Sequence, residues 1–236
     1  MENKKQTRRG GFYWKDGKSY ISVTNCLKIL DKPQIRFWFG KQIYWAVVTN
    51  PTISEAEALA APYETSRKAA TRGTTVHDLI ELYKHTGQEK KPPSPFNKFI
   101  EAFYKWVKDN DIEILEQEKT VFSEKHNFAG TLDLLVKNKQ SGKTFVVDIK
   151  TSKEGRIYPE TALQVSAYFE ALKEQGKQAD SIGAIGLSEK GNYTFQELEP
   201  CFEQFLNCKS IWEWQNKDII EALKKGGKNG SVSKMG

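Results

Sequence analysis

Val146-Val147-Asp148-Ile149-Lys150-Thr151-Ser152 is the stretch whose reading decides the fold. Its aliphatic start reads as a buried strand. Side chains alternate along a strand, so Asp148 and Lys150 share one face while Ile149 points to the other. Either charge is costly to bury alone, so the face they share must be solvated or must give the pair a task. A plain aspartate–lysine ion pair on an exposed strand face leaves the same pattern.

The neighbouring runs narrow the choice. One β-type run upstream, Phe128 to Lys137 (FAGTLDLLVK), sets Asp133 among leucines just after Gly130. Two hairpin-linked strands can bring Asp133 and Asp148 side by side, where two carboxylates repel and both stay ionised only with a cation between them. A hard divalent ion with oxygen ligands, Mg2+ or Mn2+, meets that need. Lys150 beside such an ion could lower the pKa of an attacking water or hold pentavalent phosphoryl charge, as phosphodiester hydrolysis requires. Upstream again, Arg72 to Tyr83 (RGTTVHDLIELY) spaces Gly73, His77 and Glu81 along one helical face. A lone histidine is usually packed or solvated; in this company it can ligate a metal. Downstream, Gln164 and Tyr168 lie one turn apart on the helix after the D-x-K strand and look back at the same end of the sheet.

The rest of the chain divides in texture. Phe12 to Ser22 reads as a hairpin about Asp16-Gly17, followed by a short helix with Ser22 or Thr24 as its cap. Helices are predicted over Gln34 to Val48, over Ser54 to about His85 with a break near Pro62, and over Phe96 to Asn110, with Lys90 to Pro95 as a stiff connector. Three strands follow as an antiparallel meander, then a helix from Tyr158 to Glu174. Two more strands turn at Lys190-Gly191-Asn192, and one helix covers Phe202 to Leu223. The order predicts an α+β, three-layer fold: a mixed β-sheet flanked by helices with an N-terminal helical elaboration. We expect a single domain over 1–225, with the helical part at about 24–110, the core at about 70–225, and a disordered basic tail at 226–236.

Of 236 residues, 38% are hydrophobic and 28% charged, as in a soluble globular protein, and there is neither a long apolar run nor a signal-peptide core. A cytoplasmic location is expected. The net charge of +6 is concentrated in the ends: six Lys/Arg against two acids in the first twenty residues, five against two in the last twenty. Charge alone therefore does not assign a nucleic-acid surface. Phe12, Tyr13, Trp14 and Lys15, and Arg36, Phe37 and Trp38, interleave rings and cations as a stacking surface for unpaired bases does. Packing explains them as simply, and Trp38 is read as core.

Four short motifs in order, Gly73-x-x-x-His77, Gly130-Thr131-x-Asp133, Asp148-x-Lys150-Thr151 and Gln164-x-x-x-Tyr168, resemble the RecB-like branch of the PD-(D/E)xK nucleases over roughly residues 70 to 175. The upstream Tyr20 to Leu30 and Phe37-Trp38 are similar to the N-terminal part of the mitochondrial genome maintenance exonuclease and its phage relatives. The resemblance implies a restriction-endonuclease-like core. It implies metal ligation by His77, Asp133, Asp148 and the Ile149 carbonyl, water activation by Lys150, and orientation of the lysine or a phosphate by Gln164 and Tyr168. It places a helical glutamate less securely on Glu81, and phosphate contacts on Arg72, Thr151, Ser152 and Lys153, with Arg156 a weaker addition. The implied activity is Mg2+- or Mn2+-dependent hydrolysis of DNA, as an exonuclease on single strands or frayed ends. An endonuclease on the same core and a silent nucleic-acid-binding module are the alternatives. Some relatives bind an iron–sulfur cluster through four cysteines; Cys26, Cys201 and Cys208 are only three, so no cluster is expected and packing is the reading.

Overall fold

The computed structural model describes residues 7–86 and 95–225. The expected tail and nearly all of the connector fall outside them. Strands β1 (Thr7–Arg9), β2 (Phe12–Lys15) and β3 (Lys18–Ser22) open the chain, with Asp16 and Gly17 both at positive φ in the β2–β3 turn. Helix α1 (Val23–Cys26) starts on Ser22, whose Oγ accepts the Asn25 N–H at 3.1 Å. Helices α2 (Pro33–Thr49), α3 (Glu55–Thr86) and α4 (Asn97–Asp109) follow. Next come β4 (Ile112–Ser123), β5 (Phe128–Asn138), β6 (Thr144–Ser152), α5 (Glu160–Glu174), β7 (Ser181–Ser188) and β8 (Tyr193–Leu198). Helices α6 (Phe202–Gln215) and α7 (Lys217–Lys225) close the order.

Two boundaries differ from the sequence reading. Helix α3 runs through Pro62 without a break, forgoing the one hydrogen bond that proline cannot donate. The final helix is two, because Asn216 turns its side chain back onto the Trp212 carbonyl at 2.7 Å, a local bond that competes with helix continuation.

The fold class is the expected one, a mixed sheet between helical layers. Strand order is β1-β2-β3-β5-β6-β7-β8, with β4 pairing the other edge of β5. Antiparallel β4-β5-β6 is the predicted meander, and α5 carries the chain from β6 to a parallel β7. On one face α1, α5 and α6 cover Ile21, Phe128, Leu132, Val146 and Ile182. On the other, α3 and α4 cover Leu134, Val136, Val147, Ile149 and Ile185. Phe99, Phe103 and Trp106 form the buried stripe predicted for α4. Cys26 and Cys208 are buried and reduced.

The sheet forks in the middle. Along one edge β5 pairs with β6 over Leu134–Lys137 and with β3 over Phe128–Ala129, so residues 130–133 face the gap between those partners. Leu132 and Leu134, two apart and nominally on one face, pack in opposite layers, so the strand changes phase at Asp133. Helix α2 is unusual in the other sense: none of its 17 residues is buried. It pairs with the N-terminal part of α3, where Phe39 meets Tyr63 edge to face at 5.3 Å, and the two make an apolar helical hairpin. Trp38 is half-buried in this hairpin and is not part of the core. Among the described residues no helix is long and apolar enough to cross a membrane.

Candidate active site

The fork places the acids. Strand alternation puts Asp148 and Lys150 on the α5 face of β6, opposite Ile149, which joins the α3/α4 layer. Asp148 is 2% exposed. Its Oδ1 accepts from Gln164 Nε2 at 2.9 Å. Its Oδ2 lies 2.8 Å from Lys150 Nζ as an ion pair, but off the line of a hydrogen bond, so that oxygen keeps unused acceptor capacity. Asp133, 12% exposed at the side chain, comes from β5 and accepts the Ile149 N–H through Oδ2 at 2.7 Å. Burial and the Asp148 charge raise its carboxyl from 3.8 to about 7, a measure of how much the pair resists double ionisation.

Helix α3 presents His77 from the other layer. Its Nε2 is 3.3 Å from the Ile149 carbonyl oxygen, and its Nδ1 is 3.3 Å from Glu118 Oε1 and 3.7 Å from Asp133 Oδ1. Burial disfavours the imidazolium, but the Glu118 hydrogen bond and the charges of Asp133, Glu118 and Asp148 outweigh it and raise the pKa to about 9. His77, Glu118 and Asp133 offer ligand atoms within 4.8 Å of one another. Glu118 was not among the sequence candidates; it sits in the charged run Glu116-Gln117-Glu118-Lys119 of β4, which reads as a solvated strand. Glu81, the helical acid singled out from the sequence, lies one turn beyond His77, and the acidic place in this group belongs to Glu118.

Gln164 joins the parts of the α5 side. Its amide nitrogen donates to Asp148 and, at 3.1 Å, to the Tyr168 hydroxyl, while its Oε1 accepts from Lys150 at 3.2 Å. Burial opposes the charge on Lys150, yet Asp148 raises its pKa, so it remains an ammonium. Tyr168 is buried, and its ring fills the space a Cβ at Gly130 would need. That contact explains the glycine of the G-T-x-D segment. Gly73 has no such constraint: a methyl there would make an ordinary 3.8 Å contact with Thr151.

The remaining candidates line the end of β6. Arg72 pairs with Glu189 at 3.1 Å, donates to the Thr151 carbonyl at 3.4 Å and lies over Phe99, which ties α3 to the sheet, while its buried Nε has no hydrogen-bond partner among the described residues. Ser152 Oγ accepts the Arg156 N–H at 2.9 Å, while Thr151 is half-buried and Lys153 exposed. A cleft of about 180 Å³ opens at the fork between Tyr13, Ser22, Thr24, Thr131, Asp133 and Gln164.

The donor set suits a hard divalent cation: carboxylates, a main-chain carbonyl and an imidazole, with one buried carboxylate oxygen not fully engaged and two neighbouring acids whose repulsion a cation would relieve.

No protein-family model and no curated protein matches the sequence. Among solved structures, the alkaline exonuclease LHK-Exo of Laribacter hongkongensis aligns at 16% identity over 89% of this chain and 92% of its own, with a TM-score of 0.44. The same enzyme in complex with dAMP aligns at 17% over 87% and 92%, TM-score 0.42. A candidate exonuclease from Eubacterium rectale aligns at 11% over 92% and 90%, TM-score 0.43. Likeness at this level bears on neither substrate nor mechanism.

Proposed function

We propose that the protein is a divalent-metal-dependent deoxyribonuclease of the RecB-like PD-(D/E)xK kind, acting as an exonuclease on single-stranded DNA or frayed ends. The observation that carries this reading is the buried Asp133–Asp148 pair with the Lys150 ammonium 2.8 Å from Asp148 on the same strand face. A binding role alone gives no reason to bury two acids that repel phosphate.

Asp133, Asp148, the Ile149 carbonyl and His77 would hold Mg2+ or Mn2+. When bound, the ion supplies Lewis-acid polarisation of the phosphodiester and an acidified water. The chain's own groups do the rest. Lys150, kept charged by Asp148, places positive charge where the pentavalent phosphoryl group becomes more negative. Beside the ion the same lysine would also help to acidify the attacking water. Gln164 fixes the Lys150 head against Asp148, and the buried Tyr168 fixes Gln164. Thr151, Ser152 and Lys153 continue the same strand end and can contact the next phosphate.

The preference for single strands is supported by the hairpin. Phe37, 77% exposed, follows Arg36, whose guanidinium pairs with Asp31, and lies one turn before the exposed Lys41 on α2; Arg67 and Lys68 are exposed on α3. Lys68 lies nine residues before His77 on one helix, about 14 Å at 1.5 Å per residue. Exposed rings beside cations suit stacked bases and phosphates. Beyond Lys41 and before Arg67 the chain has no cation and three glutamates, so this surface ends there.

The test uses end-labelled single-stranded, duplex and closed circular DNA with Mg2+, Mn2+ or EDTA, alongside Asp148→Asn and Lys150→Ala. Metal-dependent shortening of linear strands with circles intact, abolished by both substitutions, is expected. Nicked circles would make the enzyme an endonuclease, and binding with no cleavage in either metal would end the nuclease reading.

A further inference from the structure

We propose that Glu118 is a positioning residue of this centre, acting through His77: it holds the proton on Nδ1 and so presents the Nε2 lone pair to the ion. The inference rests on the metal-dependent reading above and assigns a role to a residue in its surroundings.

The backbone of Glu118 is the first observation. It has φ 45° in the middle of β4, and the β4–β5 ladder passes from Gln117↔Leu134 to Lys119↔Leu132 without pairing Glu118 to Asp133. A residue with a side chain seldom takes that conformation in a strand and keeps it only where its surroundings hold it there. What the turn achieves is to carry the carboxylate to 3.3 Å from His77 Nδ1.

The two ring nitrogens supply the second. A neutral imidazole has one N–H and one lone pair, and a carboxylate, which only accepts, selects the nitrogen that bears the proton. With Nδ1–H given to Glu118, the lone pair lies on Nε2, 3.3 Å from the Ile149 carbonyl oxygen. In the metal-free protein that nitrogen can carry a second proton and donate it to the carbonyl, and a cation in the place of that proton would be held by both atoms. Asp133 lies farther from Nδ1, at 3.7 Å, and its other oxygen is taken by the Ile149 N–H. A carboxylate on the far nitrogen of a ligating histidine is a common way to fix its tautomer and ring.

The rival role is direct ligation by Glu118. The experiment measures Mn2+ affinity of the full chain without DNA, by calorimetry and by the EPR signal of free Mn2+, in wild type, E118Q, E118G, H77A and H77A/E118G. The glutamine oxygen can still accept the Nδ1 proton, so E118Q should stay within a few-fold of wild type. E118G should fold cooperatively, the ease of glycine at positive φ offsetting the lost contact with His77, yet bind about 10–100-fold more weakly. In the H77A background E118G should add no further loss, and nitrogen-15 spectra of the metal-free wild type should show the Nδ1–H tautomer or the doubly protonated ring, never Nε2–H alone. An E118Q loss as large as that of E118G, persisting without His77, would make Glu118 a ligand and overturn the proposal. A wild type that binds no Mn2+ at all would overturn the metal reading first, and this proposal with it.

Discussion

Asp133 Oδ2 accepts the Ile149 backbone N–H at 2.7 Å, directly beyond Leu134↔Val147, the last pair of the β5–β6 ladder. A side chain thus takes over where main-chain pairing stops. The bond satisfies a donor that the splayed strand would otherwise leave open, fixes one carboxylate beside the other, and turns the Ile149 carbonyl toward His77. The fork and the acid pair are one feature.

Two glycines in the candidate motifs should therefore respond in opposite ways. Gly130→Ala drives a methyl into the Tyr168 ring, and overpacking of this kind costs about 1–3 kcal/mol. Gly73→Ala meets only an ordinary contact inside α3 and should stabilise by about 0.5–1 kcal/mol. Thermal melts of the two variants, with cleavage rates alongside, check both signs.

The pH dependence has a definite direction. Asp133, raised from 3.8 to about 7 by burial and Asp148, binds its proton more tightly folded than unfolded. So does His77, raised from 6.5 to about 9 by Glu118 and the aspartates against the effect of burial. Their contributions are complete below about pH 4 and 6.5 respectively and are lost as pH rises through about 7 and 9. Metal-free stability should fall over that range on their account. A cation displaces both protons, so the rise in melting temperature on adding Mn2+ should grow with pH. Melts with and without Mn2+ between about pH 5.5 and 8.5 measure it; a metal effect that does not change with pH would contradict the assignment.

Gln164 bonds to three site residues at once, and Gln164→Leu removes all three bonds. Leaving Asp148 Oδ1 unpaired should cost about 1–3 kcal/mol of stability. Loss of the group that orients Asp148 and Lys150 should lower cleavage about 10–100-fold. Denaturant melts and single-turnover rates separate the two effects.

Much of this was legible in the sequence, and the limits have physical causes. The β-type runs Phe128 to Lys137 and Val146 to Ser152 and the turn residues at Lys125 to Asn127 and Asn138 to Gly142 specify the meander, because short connections pair consecutive strands as hairpins. Asp133, Asp148 and Lys150 stand out as charged groups in apolar strands and Gln164 and Tyr168 as a pair one turn apart on the next helix; the structure joins Asp148, Lys150 and Tyr168 through Gln164 and groups Asp133 with His77 and Glu118. Glu118 does not stand out, because its position depends on a left-handed backbone that the strand pattern around it gives no reason to expect. The phase change between Leu132 and Leu134 is hidden for the same reason. The exposure of α2 was missed because Phe37-Trp38-Phe39 has the composition of a core; only packing, or its absence, tells an interior helix from one that waits for a partner.

That exposure yields a prediction. Phe37→Ala removes a ring that the fold does not bury, so stability should change by less than about 0.5 kcal/mol. Affinity for single-stranded DNA should drop by about 1–3 kcal/mol, the usual worth of one stacked base. Fluorescence anisotropy with a labelled oligonucleotide and catalytically silent Asp148→Asn protein tests this. Unchanged affinity would move the hairpin from nucleic acid to another role.

The most direct test of the central claim is anomalous diffraction from crystals soaked in Mn2+. The account predicts one strong peak at the fork, within bonding distance of Asp133, Asp148 and the Ile149 carbonyl and beside His77 Nε2, and its loss in Asp148→Asn crystals. A fork that stays empty at saturating Mn2+, or a peak that survives that substitution, would contradict it.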